Sequence, residues 1–165
     1  MIAAFFCLCG FLSAGEKLDI NGSFGPDLKG GVPSGWLPNK PNNWDESGWC
    51  ELNKISDTER IALQITSKTR PMHLFSRKQW PTAEGDKCVI MARVKGKGKG
   101  SLGFYAYPGG KFERKDFNAT AEWTEFIAEF SIPKNSPAID NIRVVIAASP
   151  DASVEFSDVT AEIVK

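Results

Sequence analysis

The chain has 165 residues, 42% of them hydrophobic, and its twenty Lys or Arg against twenty Asp or Glu leave a formal net charge of zero. That balance lacks the basic excess that a nucleic-acid partner or an anionic membrane surface selects. The length, about 150 residues once an N-terminal leader is set aside, fits one domain that buries roughly 70% of its unfolded surface.

Residues 1–15 carry no charged side chain. Ile2 to Leu12 is an apolar run too short to span a bilayer, and Ser13-Ala14-Gly15 supplies small residues for cleavage before Glu16. This stretch reads as a secretory signal peptide, so residues 16–165 are expected as one secreted domain with no membrane span. Removal of the leader leaves Cys50 and Cys88, which either form one disulfide or serve as two small buried hydrophobes.

Leu18-Asp19-Ile20 is a short strand. Asn21 to Asn43 holds five Gly and four Pro and predicts a long loop over a sheet edge, ordered by Phe24 and Trp36. Trp49 to Leu52 is again short and extended, while Arg60 to Thr66 alternates with Ile61, Leu63 and Ile65 on one face. Met72 to Arg77 is extended but less regular. Lys87 to Lys95 and Ser101 to Tyr107 read as two strands joined by a hairpin loop, Gly96-Lys97-Gly98-Lys99-Gly100. That pairing puts Cys88, Ile90, Ala92, Val94, Leu102, Phe104 and Ala106 on the core face. Val89, Met91, Arg93, Tyr105 and Tyr107 take the opposite one.

Glu122 to Ile132 then buries Phe126, Ala128, Phe130 and Ile132 and turns Glu125 and Glu129 outward. Asn141 to Ala148 and Ala152 to Val164 predict a second hairpin across Ser149-Pro150-Asp151. No window has a sustained helical period, and about eight to ten strands in this arrangement make an all-β sandwich.

The catalytic signatures fail on physical grounds. Gly98-Lys99-Gly100-Ser101-Leu102-Gly103 spells a dinucleotide fingerprint, but a strand follows where the pyrophosphate needs a helix N-terminus. His73 is alone, without the companions of a triad or a zinc site. Glu125 and Glu129 sit two pleats apart on one strand, about 13 Å, too far for an acid and base pair of a glycosidase.

Several stretches carry a resemblance when taken together. They are Asn21-Gly22-Ser23-Phe24, Val32-Pro33-Ser34-Gly35-Trp36, Gly85-Asp86-Lys87-Cys88 with Val94-Lys95-Gly96, Thr120 to Phe126, and Phe156-Ser157-Asp158-Val159. In this order and spacing the chain resembles the galactose-binding-like jelly rolls, more narrowly the carbohydrate-binding modules named for the N-terminal domain of a bacterial endoglucanase. The resemblance implies a jelly-roll β-sandwich that binds a polysaccharide or oligosaccharide without catalysis, with Trp36 and Trp123 structural.

It also implies a structural calcium, for which Asp19, Asp27 and Asp158 are the nearest candidates. The family's acidic residue after the opening Phe is here Gly25, and its paired Asp-Asp is Ser157-Asp158. Calcium needs six to eight oxygens, so these departures remove donors.

Sugar rings stack on exposed aromatic rings beside hydrogen-bonding side chains. Tyr105 and Tyr107, outward beside Arg93, meet that description, and Trp49 and Trp80 join them as candidates. The rival from another class is a structural or protein-interaction domain, separated from the first by whether Tyr105, Tyr107 and Trp80 share one open groove.

Overall fold

The computed structural model describes residues 15–25, 28–29, 31–39, 47–56, 58–134 and 138–165. Residues 1–14 of the leader and Asp27 lie outside these residues. Thirteen strands follow one another among the described residues: β1 (Glu16–Lys17), β2 (Leu28–Lys29), β3 (Val32–Pro33), β4 (Trp36–Pro38), β5 (Gly48–Lys54), β6 (Ile61–Ser67), β7 (Met72–Ser76), β8 (Trp80–Pro81), β9 (Lys87–Tyr107), β10 (Phe112–Ala119), β11 (Thr124–Ser131), β12 (Asn141–Ala148) and β13 (Ala152–Val164).

Two antiparallel sheets face each other and share β9. The first runs β5-β6-β13-β9-β11, with β1 on the C-terminal part of β13. The second runs β4-β7-β12-β9-β10, with β8 also on β12. The 21-residue β9 spends Lys87 to Lys97 in the first sheet and Gly98 to Tyr107 in the second. This is the jelly-roll β-sandwich that the strand pattern and the resemblance implied.

Two expected hairpins are crossings between sheets instead. Gly96 to Gly100 is no loop but a bend inside β9, where the strand leaves one sheet for the other. Gly96 and Gly98 take φ of 133° and 88°. A Cβ on Gly96 would lie 2.2 Å from the Ser153 carbonyl oxygen, so the glycines serve a turned backbone pressed on its neighbour. The Ser149-Pro150-Asp151 turn likewise carries the chain from β12 in the second sheet to β13 in the first, and the two strands do not pair. Period-two alternation looks the same on either side of a hairpin or a crossing, which is why the sequence favoured the simpler connection.

The core fills the space between the sheets. Even-numbered residues of β9, from Cys88 to Val94 and again from Leu102 to Ala106, are buried there. They meet Leu63, Ile65, Leu74, Ile142, Ile146 and Phe156, each fully buried and each contributing about 1.5–3 kcal/mol by leaving water. Phe24 and Trp36, both at 0% exposure with ring centres 5.8 Å apart, pin the Asn21-Gly22-Ser23-Phe24 turn against β4, as expected. The Trp36 indole donates to the Asn21 carbonyl at 3.2 Å. Glu125 and Glu129 of β11 point to solvent, as expected. Cys50 and Cys88 are free and buried, which resolves them as core hydrophobes rather than a disulfide. Burial pushes the Cys88 thiol up to about 12 and the Cys50 thiol higher still.

Candidate functional site

The outer face of the second sheet is built by strand alternation. Ile142, Val144, Ile146 and Ala148 of β12 are buried against the first sheet, so Asn141, Arg143, Val145 and Ala147 point outward. Register then aligns the outward residues of neighbouring strands. Arg143 of β12 stands opposite Tyr105 of β9, which stands opposite Phe112 of β10. Leu37, Phe75, Val145, Gly103 and Arg114 form the next row across all five strands, and His73, Ala147, Ser101 and Asp116 the one after it.

Large rings and small residues alternate across this face. Tyr107, Tyr105, Phe75, His73 and Phe112 make one continuous chain of half-buried rings. Their successive centres are 4.9, 5.8, 6.4 and 5.4 Å apart. Gly103, Val145 and Ala147 lie in the rows between them and are buried although they face outward; at Gly103 the β10 backbone at Glu113 and Arg114 presses close. The result is an aromatic platform whose rings leave edges and faces half open.

Polar groups stud the platform. The Arg143 guanidinium lies 5.6 Å from the centre of the Tyr107 ring, and that of Arg114 lies 5.9 Å from Phe112. Arg114 pairs with Asp116 at 3.2 Å. Asn39 lies 3.2 Å from Nδ1 of His73, whose Nε2 is buried without a partner. Burial first, and the charge of Arg114 second, hold the His73 imidazole below its ordinary value, so it is neutral at pH 7.

Of the residues expected to touch sugar, the fold brings only Tyr105 and Tyr107 together on this face. Arg93 is on the part of β9 that belongs to the first sheet, so it points to the opposite side of the molecule. There it stacks on Trp123 at 5.5 Å and approaches Asp158 at 3.8 Å. Trp123 is accordingly half exposed rather than structural core. Trp80 of β8 stands opposite Ile142 and is 4% exposed, so its ring packs toward the core and is not one of the open rings of this face. Trp49 is 39% exposed but sits on β5 of the first sheet, under the Lys68 ammonium at 5.1 Å.

No protein-family model matches the chain, and no curated protein matches it. Solved structures do. The CBM22-1 xylan-binding domain of Paenibacillus barcinonensis Xyn10C superposes with a TM-score of 0.59 at 13% identity, covering 93% of this chain and 97% of that one. A CBM4 structure gives 0.54 at 14% identity over 87% and 97%. The CBM22-1–GH10 modules of the Clostridium thermocellum endo-1,4-β-D-xylanase 10B, complexed with xylohexaose, give 0.54 at 16% identity over 91% of this chain and 28% of that longer one. The chain has the fold of these carbohydrate-binding modules.

Sequence reasoning missed the residues that complete the platform: Phe75, His73 and Phe112, with Arg143 and Arg114. The signal was present for the first two, since Met72 to Ser76 alternates buried and half-buried positions, but the run is short. For Arg143 the alternation of β12 places the side chain outward, yet only the β9–β12 register sets it beside the tyrosines.

Of the calcium candidates, Asp27 lies outside the described residues, and Asp158 is engaged by cations rather than gathered with other acids. The Asp158 carboxylate receives Arg60 at 3.1 Å as well as Arg93, so two cations already hold it. No group of three acidic or other metal-ligating side chains occurs among the described residues. Asp19 instead lines a cavity of about 490 Å³ on the first sheet, walled by Leu18, Ile20, Val89, Met91 and Ile127 and holding no aromatic ring.

Proposed function

We propose that this chain is a non-catalytic carbohydrate-binding module that takes a polysaccharide or oligosaccharide across the outer face of the second sheet. The observation that carries the proposal is the continuous platform from Tyr107 through Tyr105 and Phe75 to His73 and Phe112. Half-open rings supply apolar faces for pyranose stacking, and Asn39, Asn141, Arg114 and Arg143 stand close enough to hydrogen-bond ring hydroxyls. The fold shared with modules that include a xylan-binding domain supports the same assignment and makes xylan the first polymer to test. Glu125 and Glu129 lie on the first sheet, away from the platform, which supports a binding role rather than hydrolysis. Delivery outside the cell follows from reading residues 1–15 as a signal peptide, and no helix among the described residues is long and apolar enough to cross a membrane.

Affinity electrophoresis of residues 16–165 through gels containing xylan, β-glucan or mannan tests the proposal. Retardation on at least one polymer, lost when Tyr105 and Tyr107 are both replaced by Ala, supports it. Migration unchanged in every gel moves the chain to the structural or protein-interaction class.

A further inference from the structure

Arg143 brings to the platform a full positive charge with no counter-ion among the described residues, more than hydrogen bonding to a neutral sugar calls for. Arg60 and Arg93 share Asp158, and Arg114 has Asp116, whereas Arg143 makes no ion pair among the described residues. Its Nε is buried without a hydrogen-bond partner. A buried donor left unsatisfied costs about 1–3 kcal/mol, so the side chain is poorly placed to stabilise the fold. Its position is nevertheless central. It faces Tyr105 in register, and the Tyr107 ring supports its guanidinium by a cation–π contact. Asp140, the acid closest to it along the chain on β12's leading edge, is engaged by Asn141 at 2.7 Å.

A guanidinium is charged at every physiological pH, and its planar fork matches a carboxylate with two parallel hydrogen bonds. At a half-buried position the attraction is screened less than in open water. We propose that the platform selects an acidic glycan, one that carries uronate residues, and that Arg143 receives the carboxylate of a sugar ring stacked on Tyr105 and Tyr107. This inference rests on the platform being a sugar site. It adds the chemical class of the sugar.

The test compares polymers that differ only at the carboxylate. Glucuronoxylan and polygalacturonate are each measured against their carboxyl-reduced forms by calorimetry on residues 16–165 at low salt. The wild type is expected to bind at least one acidic form about tenfold more tightly than its reduced counterpart, as one charge-assisted pair implies. Added salt should shrink that ratio. Arg143→Gln should bring the ratio to one, while Arg143→Lys keeps part of it. The melting temperature of Arg143→Gln should stay within a few degrees of wild type, since among the described residues the arginine has no ion pair and its Nε no hydrogen-bond partner, and only the cation–π contact with Tyr107 is lost.

Equal binding of both forms by the wild type, with loss of both in the double tyrosine variant, overturns the acidic class and leaves the sugar site standing. A preference that survives Arg143→Gln overturns the role of this arginine. Absence of binding to every polymer overturns the inference together with the sugar site.

Discussion

The rings of Tyr105 and Tyr107 lie 4.9 Å apart at a tilt of 56°, side by side on the outer face of β9, with Phe75 meeting Tyr105 edge-on at 5.8 Å. Both tyrosines are half buried, so they are neither free-standing surface rings nor core. Replacing both with Ala should abolish retention on the bound glycan and cost about 1–2 kcal/mol per site in chemical denaturation, from lost ring–ring and area terms. Retained glycan binding in a folded double variant would show that the platform is not the site.

Trp80 and Trp49 separate burial from function. Trp80 is 4% exposed and packs within the core, so Trp80→Ala should lose about 3–5 kcal/mol by opening a cavity. Trp49 is 39% exposed on the other sheet, and its truncation should change stability by under about 1 kcal/mol and leave glycan retention intact. Denaturant midpoints and gel mobility on the same samples check both. Loss of retention in Trp49→Ala would place a ligand contact on the first sheet.

The alternation of β9, β11, β12 and β13 was legible in the sequence because each has one face against the core and one outward, and side chains report that period directly. Connectivity was not. The Gly96 to Gly100 run and the Ser149-Pro150-Asp151 turn have the composition of hairpin loops, and only long-range register shows that each leads from one sheet to the other. The same ambiguity explains the site. Reading Arg93 and Tyr105 on one face follows from strand parity, and parity is right, since both point away from the core. Because β9 changes sheets between them, the two outward directions are opposite. Trp80 was misjudged for another reason: it sits in a two-residue strand, too short for alternation to say which way the ring points.

The bend in β9 makes its own prediction. A Cβ at Gly96 would sit 2.2 Å from the Ser153 carbonyl oxygen, and one at Gly98 would sit 2.7 Å from the Ala152 Cβ. Both backbones also hold positive φ. Gly96→Ala should therefore destabilise by about 2–3 kcal/mol or more, combining strain with a clash against backbone that cannot move aside. Gly85, with positive φ but nothing within 4 Å of an added Cβ, should lose only about 1 kcal/mol when replaced by Ala. Equal losses at the two positions would mean that β9 and β13 are not pressed together at the bend.

His73 supplies the pH dependence. Burial, and then the charge of Arg114, lower its pKa in the folded chain below the ordinary histidine value of 6.5. The unfolded chain therefore binds a proton more readily, and stability rises with pH across the interval between the two values. As pH falls below about 6.5 the unfolded state gains its proton first, so the folded state loses stability until the folded imidazole is protonated too. His73→Gln keeps a side chain able to hydrogen-bond Asn39 and removes the titration. Its melting temperature should fall less between pH 7 and pH 5 than that of the wild type, while the two differ little in how they respond between pH 7 and pH 8. An identical acid response in both proteins would show that His73 is not held neutral by its surroundings and that other groups set the acid limit.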